Sequence, residues 1–300
     1  MISVIIPVYK NTEQMLTNLR HNMQFFKNCE VILVNDDPTK SIKTELSEFK
    51  DIKLYENEKN IGFGQNVNKG VSFSTGQYLL FLNTDVKLND NSFQNALKHF
   101  ENDTELFGVS FAQQETNRQI VGKNQIFWHR GMFHHRQAAT LLSGENAWAE
   151  GGTALINKDK FLILGGFDTL YTPFYWEDID ISYRAWKAGY HILFDASIVM
   201  EHHHEGTTGK YFLKEITKRV SYRNQLFFIW KNITDFSLIS QHIILLAPNI
   251  FYYTILKNEH IFFLGLIDAL KQLNTVFKHR KKQLKIYQLS DKEVLEKFRQ

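Results

Sequence analysis

The chain has 300 residues, of which 43% are hydrophobic and 14% aromatic, and its formal net charge is only +3 at pH 7. This composition excludes a largely disordered chain and suffices for a sizeable core, in one large domain or two small ones. The small net charge gives no reason to expect a nucleic-acid partner, and the single cysteine, Cys29, excludes an internal disulfide and fits a reducing compartment.

The N-terminal third predicts an alternation of strands and helices. The segment from Met1 to Pro7 lacks the basic start and long apolar run of a signal peptide, so we interpret it as the first strand of a cytoplasmic protein. Apolar runs predict strands at 3–8, 30–34, 52–55 and 77–82, and helical spacing predicts helices at 12–26, 40–49 and 64–74, the first capped by Asn11 or Thr12. This order predicts a mainly parallel sheet covered by helices on both faces.

Three of these strands end in polar clusters: Pro7-Val8-Tyr9, Asn35-Asp36-Asp37 and Asn83-Thr84-Asp85. Each cluster alone is consistent with an ordinary turn. In parallel sheets, however, ligands bind beyond the carboxyl ends of the strands, and carboxylates gathered at one point attract a divalent cation. The three clusters together therefore predict a polar ligand at this edge of the sheet.

A dinucleotide site is the less favoured alternative. Gly62-Phe63-Gly64 begins like a G-x-G-x-x-G loop, but Val67 occupies the third glycine position and the stretch does not follow the first strand.

A second constellation lies near residue 178. Glu177, Asp178 and Asp180 lie at the start of a predicted helix that ends at Gly189. Acids in this position complement the helix dipole, which accounts for one or two of them. They also follow an aromatic-rich loop, 171–176, which could surround a carboxylate and raise its pKa toward that of a general base.

A run of three histidines, 202–204, follows a strand-like segment at 191–194. In an extended chain His202 and His204 point to the same side, so one or both could meet a cation held by Asp85. A zinc site is disfavoured because partner cysteines and an H-E-x-x-H motif are missing.

The C-terminal quarter is apolar but interrupted. Five apolar segments between 227 and 264 are separated by polar residues, and because no run of about 18 apolar residues occurs, a spanning helix is disfavoured. Two alternatives stay open: a helical bundle that packs on the rest of the protein or forms an oligomer interface, and interfacial helices that dock on a membrane. The basic cluster from Lys278 to Lys285 suits the second alternative. The tail from 291 to 300 is predicted to be a solvated helix end.

Six segments carry a family resemblance, in the order "SVIIPVYKN", "VILVNDDPT", "NIGFGQNVNKG", "YLLFLNTDV", "GGFDTLYTPFYWEDIDISYRAWKAG" and "HHHEGTTG". The chain resembles the family 2 inverting glycosyltransferases of the GT-A fold, especially the rhamnosyltransferase-like branch. The resemblance implies a catalytic domain over 1–230, with a Rossmann-like, mostly parallel α/β sheet flanked by helices, and a C-terminal helical region over 231–300.

The resemblance also implies an activity. A sugar would pass from a nucleotide-sugar donor, dTDP- or UDP-linked, to a hydroxyl of a glycan or lipid-linked acceptor, with Mg²⁺ or Mn²⁺ on the diphosphate and inversion at the anomeric carbon. Such transfer belongs to bacterial surface-polysaccharide or cell-envelope glycan synthesis, in the cytoplasm or at the inner face of the membrane. The sugar and the oligomeric state stay open.

The resemblance also implies roles for individual residues of this chain, at the positions that match the family's motifs. Pro7, Val8, Tyr9, Asp36, Gly62, Asn68 and Asn83 would contact the nucleotide, with Asn83 in place of the first acid of the family's D-x-D motif. Asp85 and His202 would bind the metal, with His204 as the alternative ligand, and Asp178 would be the catalytic base. Gly152, Trp176, Glu177 and His204 would line the pocket for the donor sugar or acceptor.

Two other functional classes are alternatives to a glycosyltransferase. A nucleotidyltransferase would also use a metal on an α/β sheet, but the first strand lacks the glycine-rich loop with arginine. A catalytically silent nucleotide-sugar-binding scaffold would have no reason to keep Asp85, Asp178 and His202 together. The histidine-rich stretches at 128–130 and 134–136 are interpreted as ordinary loop residues rather than acceptor contacts.

Overall fold

The structure is a computed structural model that describes residues 1–202 and 211–299. Four parallel strands form the N-terminal half of its central sheet: β1 (Ile2–Val8), β2 (Cys29–Asn35), β3 (Ile52–Glu56) and β4 (Tyr78–Leu82). Their order across the sheet is β4-β1-β2-β3. Val8 pairs with Asn35 and Ile5 with Phe81, so the carboxyl ends of β1, β2 and β4 meet at one edge.

This half of the sheet is buried on both faces. Successive residues of a strand point to opposite faces, and here Ile5 lies in one hydrophobic cluster while Val4 and Ile6 lie in the other. The prediction of a mainly parallel sheet covered on both sides is confirmed.

The remaining strands are β5 (Val86–Leu88), β6 (Leu106–Gln114), β7 (Ile120–Val121), β8 (Asn124–His129), β9 (Met132–Gln137), β10 (Gly144–Glu145), β11 (Thr153–Asn157) and β12 (His191–His202). β11 joins β4 to β6 in antiparallel pairing, and β12 lies parallel to β6. β5 pairs antiparallel with the end of β12, which places Val86 opposite His202. β8 and β9 form a separate two-stranded hairpin.

Five helices of the N-terminal 187 residues are α1 (Thr12–Asn22), α2 (Phe63–Phe73), α3 (Leu97–Asn102), α4 (Lys158–Ile163) and α5 (Glu177–Lys187). Two expectations are corrected. Asn11 precedes α1 with a φ of 52° and makes no side-chain capping bond, and α1 ends at Asn22, followed by a 3₁₀ turn.

The predicted helix at 40–49 is wrong: the segment forms turns. Its start is held by Glu56 of β3, whose Oε1 accepts a hydrogen bond from the Ile42 backbone N–H at 2.9 Å and whose Oε2 accepts one from Ser41 Oγ at 3.0 Å. Tertiary bonds to a neighbouring strand therefore override a weak local helix preference.

The C-terminal residues form α6 (Lys214–Asn232), α7 (Phe236–Phe251), which continues as a π-helical turn (Tyr252–Leu256), α8 (His260–Lys271), α9 (Leu273–Gln283) and α10 (Asp291–Glu296). The boundary at 230/231 stays a prediction, and one hydrophobic cluster contains residues from both sides of it, including Trp186 and Val276. Lys231 is fully buried and its Nζ lies 2.5 Å from Asp168 and 2.8 Å from Asp180.

Helix α7 and its π-helical extension differ from the expectation that the chain has no segment suited to span a membrane. In the part of the chain that the structure describes, the helical stretch Phe236–Leu256 is long and apolar enough to cross a bilayer by length and composition, although His242, Pro248 and Asn249 interrupt its apolar run.

Candidate active site

A cavity of about 460 Å³ opens at the carboxyl ends of β1, β2 and β4. It is lined by most of the residues singled out from the sequence, together with others that the sequence analysis did not assign. The predicted ones are Pro7, Val8, Tyr9, Asp36, Gly62, Asn83, Asp85, Gly152, Glu177, Asp178 and His202. Residues from distant parts of the chain thus meet at one edge of the sheet, and Asp85 and Asp178 line the same cavity.

Asp36, at the end of β2, organises the loop beside the cavity. Its Oδ1 accepts hydrogen bonds from Asn57 Nδ2 at 2.8 Å and the Ile61 N–H at 2.9 Å, and its Oδ2 accepts one from the Gly62 N–H at 2.9 Å. Burial raises the pKa of Asp36, and these donors and Lys69 oppose that shift. The Asp36 carboxylate therefore already accepts three hydrogen bonds from the protein, which leaves few lone pairs to accept a hydrogen bond from a ligand.

Position 62 requires glycine because its backbone lies close to the backbone of Pro173. Its φ is 83°, and a Cβ added there would lie 2.9 Å from the Pro173 carbonyl oxygen. Gly152 is similarly constrained, because an added Cβ would collide with the Asn83 side chain. The Asn83 N–H donates to the Gly152 carbonyl at 3.1 Å, which ties the end of β4 to the turn before β11.

Asp85 and His202 form the candidate metal centre. The antiparallel pairing of β5 with β12 brings the two side chains together, with Oδ1 of Asp85 3.3 Å from Nε2 of His202. Both side chains are buried, and among the described residues Asp85 Oδ1 has no hydrogen-bond donor.

Gln113 determines which way the imidazole faces. Gln113 Nε2 donates to Glu150 Oε2, so its Oε1 faces His202 and accepts from the ring Nδ1. In the neutral ring Nε2 then carries a lone pair, and two acceptors, Nε2 and Asp85 Oδ1, lie side by side. A cation between them could be bound by both atoms and would give Asp85 Oδ1 a partner, so this pair of side chains fits a divalent metal ion.

Glu150 is a functional candidate that the sequence analysis missed. It lines the cavity and accepts hydrogen bonds from Gln113 and, at 2.9 Å, from Asn124 Nδ2. Its position directly before Gly151-Gly152, just ahead of a buried strand, could have marked Glu150 as a candidate. Nothing in the sequence, however, indicated that Glu150 lies near His202. Only the pairing of β6 beside β11 and β12 brings these side chains together.

Asp178 lies in the first turn of α5 and lines the cavity. Its Oδ1 accepts from the Ile179 N–H at 2.8 Å and its Oδ2 from the Gly151 N–H at 3.4 Å. Burial, followed by the charge of Glu150, raises the pKa of Asp178 to about 6. A carboxylate with this pKa is ionised at neutral pH and is still a better proton acceptor than an exposed aspartate.

Glu177, beside it, is buried and also lines the cavity. Burial and the neighbouring Asp178 raise the pKa of Glu177 well above its usual value. The pair therefore favours one protonated and one ionised carboxyl group.

Two predicted site residues, Asn68 and Trp176, are not part of the cavity lining. Asn68 pairs with the Phe167 backbone instead, donating to its carbonyl at 2.7 Å and accepting from its N–H at 2.9 Å. Trp176 is a core residue whose ring packs against Phe133 and Phe228. His204 lies outside the described residues.

Three aromatic side chains form a further wall of the cavity: Phe174 and Tyr175, from the aromatic loop expected to surround a carboxylate, and Phe212, which the sequence did not indicate. Phe174 and Phe212 contact each other with ring centroids 4.8 Å apart, and Phe212 stacks on Tyr9 at 6.3 Å. The stretches at 128–130 and 134–136 lie in the β8–β9 hairpin, away from the cavity lining.

Comparison with solved structures shows the fold. The chain is similar to GalNAc-T7, solved with UDP, GalNAc and Mn²⁺, with a TM-score of 0.61 and 17% identity over 77% of this chain and 48% of that one. It is also similar to S. aureus TarS 1-349, solved with UDP-GlcNAc, with a TM-score of 0.57 and 17% identity over 99% of this chain and 91% of that one. The second match extends through the C-terminal helices.

Sequence comparison gives the family. The chain is 22% identical over 199 residues to the poly-beta-1,6-N-acetyl-D-glucosamine synthase of Staphylococcus aureus (strain COL), which covers 65% of this chain and 48% of that protein. The chain spans about half the length of this relative, and smaller shares, 17% and 12%, of two others. A family model described as glycosyl transferase family 2 matches residues 3–162, more than half of the chain. The chain therefore belongs to glycosyl transferase family 2 and has the GT-A fold.

Proposed function

We propose that the protein is a metal-dependent inverting glycosyltransferase that transfers a sugar from a nucleotide-sugar donor to a hydroxyl of a glycan or lipid-linked acceptor. The observation that carries the proposal is one cavity lined both by the Asp85–His202 pair and by the half-buried Asp178 carboxyl group. The family membership supports the reaction class and gives no support to the nucleotidyltransferase alternative.

Asp178 is the proposed catalytic base. In an inverting transfer the acceptor oxygen attacks the anomeric carbon from the face opposite the leaving diphosphate, so its proton must leave on that side. One oxygen of the Asp178 carboxylate would take this proton while the C–O bond to the acceptor forms and the C–O bond to the diphosphate breaks. The pKa of about 6 supports this role.

Asp85 Oδ1 and His202 Nε2 are the proposed protein ligands of a Mg²⁺ or Mn²⁺ ion. When bound, such an ion neutralises the charge that develops on the leaving diphosphate. GalNAc-T7 is solved with Mn²⁺. Gln113 orients His202 through Nδ1, and Asn83 at the end of β4 is a proposed contact of the nucleotide or sugar.

The nucleotide is proposed to lie against Pro7, Val8 and Tyr9, with Asp36 and Gly62 shaping that wall of the cavity. The relative from Staphylococcus aureus synthesises a polysaccharide, and TarS is solved with UDP-GlcNAc, which supports a UDP-linked donor and a role in surface glycan synthesis. A dTDP-linked donor, as the rhamnosyltransferase-like branch would use, is the second candidate. The proposed place of action is the cytoplasmic side of the membrane.

A thermal-shift screen tests the proposal. UDP, dTDP and GDP, and UDP-GlcNAc, UDP-hexoses and dTDP-rhamnose, would each be added with and without Mn²⁺. A ligand that binds only the folded state adds about 2.7 kcal/mol of stability at 100 times its dissociation constant. Stabilisation by one nucleotide family, enhanced by Mn²⁺, is expected, and the absence of any nucleotide effect would contradict the proposal.

A further inference from the structure

The exposed hydrophobic residues of the described chain are concentrated in the C-terminal helices. Helix α7 and its π-helical extension carry six of them, and five of the six, Phe236, Ile243, Ile244, Phe251 and Ile255, we name the apolar stripe. Ile243 and Ile244 are 67% and 71% exposed. Seven- and eight-residue spacings keep side chains on one face of a helix, so the stripe runs along a single side of this segment.

The opposite side of α7 is fixed to the protein. His242 accepts a hydrogen bond from Trp230 Nε1 at 2.9 Å through Nε2, and its Nδ1 lies 2.7 Å from the Gly131 carbonyl of the β8–β9 hairpin. Asn249 donates to the Arg130 carbonyl at 2.9 Å. These buried polar contacts hold α7 flat against the hairpin, so the helix presents its apolar side outward along its length rather than separating from the domain to cross a bilayer.

The C-terminal segment that follows the stripe is positively charged. No Asp or Glu occurs between Phe236 and Asn258, and residues 257–285 carry seven Lys and Arg against two Asp and Glu, a net charge of +5 compared with +3 for the whole chain. Both acids are already engaged by α6: Glu259 pairs with Lys218 at 2.8 Å and Asp268 with Arg219 at 2.5 Å. The lysines that follow, at 278, 281, 282 and 285, are exposed.

Helix α9 and the residues after it carry both exposed apolar side chains and exposed lysines. Phe277, Lys278, Lys281, Leu284 and Lys285 are exposed at helical spacing, so apolar side chains and lysines share one side. An exposed apolar surface flanked by lysines is complementary to a bilayer interface, where the apolar groups enter the acyl boundary and the ammonium groups remain among anionic headgroups.

We propose that the apolar stripe and the lysines of α9 form a docking surface for an anionic lipid membrane, on which the protein lies as a peripheral enzyme. The occupant is a lipid surface rather than a second copy of the chain, because a copy would place one strongly positive segment against another. The surface is independent of the reaction chemistry, so the proposal does not depend on which sugar or acceptor is used.

Vesicle co-sedimentation tests the surface. The full chain would be mixed with phosphatidylcholine vesicles and with vesicles that contain phosphatidylglycerol at 30 mol%, in low and high salt. Binding is expected to the anionic vesicles and to weaken with salt. The double variant Ile243→Ser/Ile244→Ser should lose at least tenfold in vesicle affinity, and Lys281→Glu/Lys282→Glu should lose the preference for anionic lipid.

The matched control is Leu162→Ser/Ile163→Ser, another adjacent exposed apolar pair, on α4. This control should bind vesicles like the unmodified protein, and unchanged unfolding temperatures would show that all variants are folded. Equal binding by the Ile243/Ile244 variant, or no binding to anionic vesicles, would overturn the proposal. A dimer in solution that the Ile243/Ile244 substitutions dissociate would also overturn it, in favour of a second copy. Thermal stabilisation by the nucleotide-sugar donor, measured on the same variants, tests the proposed reaction separately from membrane binding.

Discussion

Gln113 and His202 are linked side chain to side chain, with the ring Nδ1 donating to the Gln113 carbonyl oxygen, and this bond turns Nε2 toward Asp85. Gln113 is in turn fixed by Glu150. The proposed metal centre therefore has an outer layer of hydrogen bonds that decides the orientation of its imidazole ligand.

Replacing Gln113 by Ala should weaken Mn²⁺ binding by about 10–100-fold, because the imidazole loses the acceptor that fixes its tautomer. Mn²⁺ affinity in the presence of UDP, measured by electron paramagnetic resonance, checks this. The matched control is Asn124→Ala, which also removes a hydrogen bond to Glu150 but none to His202. Equal Mn²⁺ affinity for Gln113→Ala and the unmodified protein would show that the ring is positioned by other contacts.

Asp178→Asn should lower kcat by about 10²–10⁴-fold, the usual contribution of a general base. The amide keeps the size of the side chain but cannot accept the proton. Donor and Mn²⁺ binding, followed by thermal shift, should stay nearly unchanged. Transfer at a near-normal rate would disprove the assignment of the base.

The pH profile should report the same group. Because burial and Glu150 raise the pKa of Asp178 to about 6, transfer should fall by one log unit per pH unit below that value. Glu150→Gln removes the nearby negative charge, so the midpoint should move to lower pH. Glu145→Gln, a change at a carboxylate of short strand β10 outside the cavity lining, is the control and should leave the profile in place.

Asp178 should also lower stability at neutral pH. Its folded-state pKa of about 6 lies above the usual 3.8, so its contribution to folding is complete below pH 3.8 and is lost as the pH rises through about 6. At pH 8 the Asp178→Asn variant should be more stable than the unmodified protein by about 2–3 kcal/mol, the equivalent of a shift of roughly two pKa units. Urea unfolding at pH 5 and pH 8 measures this, and a gain that does not grow with pH would contradict it.

Lys231→Met should destabilise the protein by about 3–5 kcal/mol, because the carboxylates of Asp168 and Asp180 would lose a buried cation. The control is Lys218→Ala, whose ion pair with Glu259 is partly exposed to solvent and whose loss should cost about 0–1 kcal/mol. Chemical denaturation compares the two. A small effect at Lys231 would mean that Arg184 and His279 compensate for it.

The sequence by itself determined the alternation of apolar strands and helices and the polar ends of β1, β2 and β4. These features are local, because a run such as 78–82 is apolar on both faces wherever it lies. It also supplied the candidate residues Asp85, Asp178 and His202, because their chemistry is carried by residue type. It could not tell which side chains face the cavity, so it assigned Asn68 and Trp176 to the site, whereas Asn68 bonds to the Phe167 backbone and Trp176 packs in the core.

Only the tertiary structure decided what depends on pairing between distant segments. The register of β5 on β12 brings His202 to Asp85, and β6 beside β12 supplies Gln113 and, through it, Glu150. The turns at 40–49 replace a predicted helix because Glu56 of another strand holds them. In the same way, the contacts of α7 with the β8–β9 hairpin select which side of that helix faces outward. A sequence lists the donors and acceptors, and the folded chain decides which of them come within bonding distance.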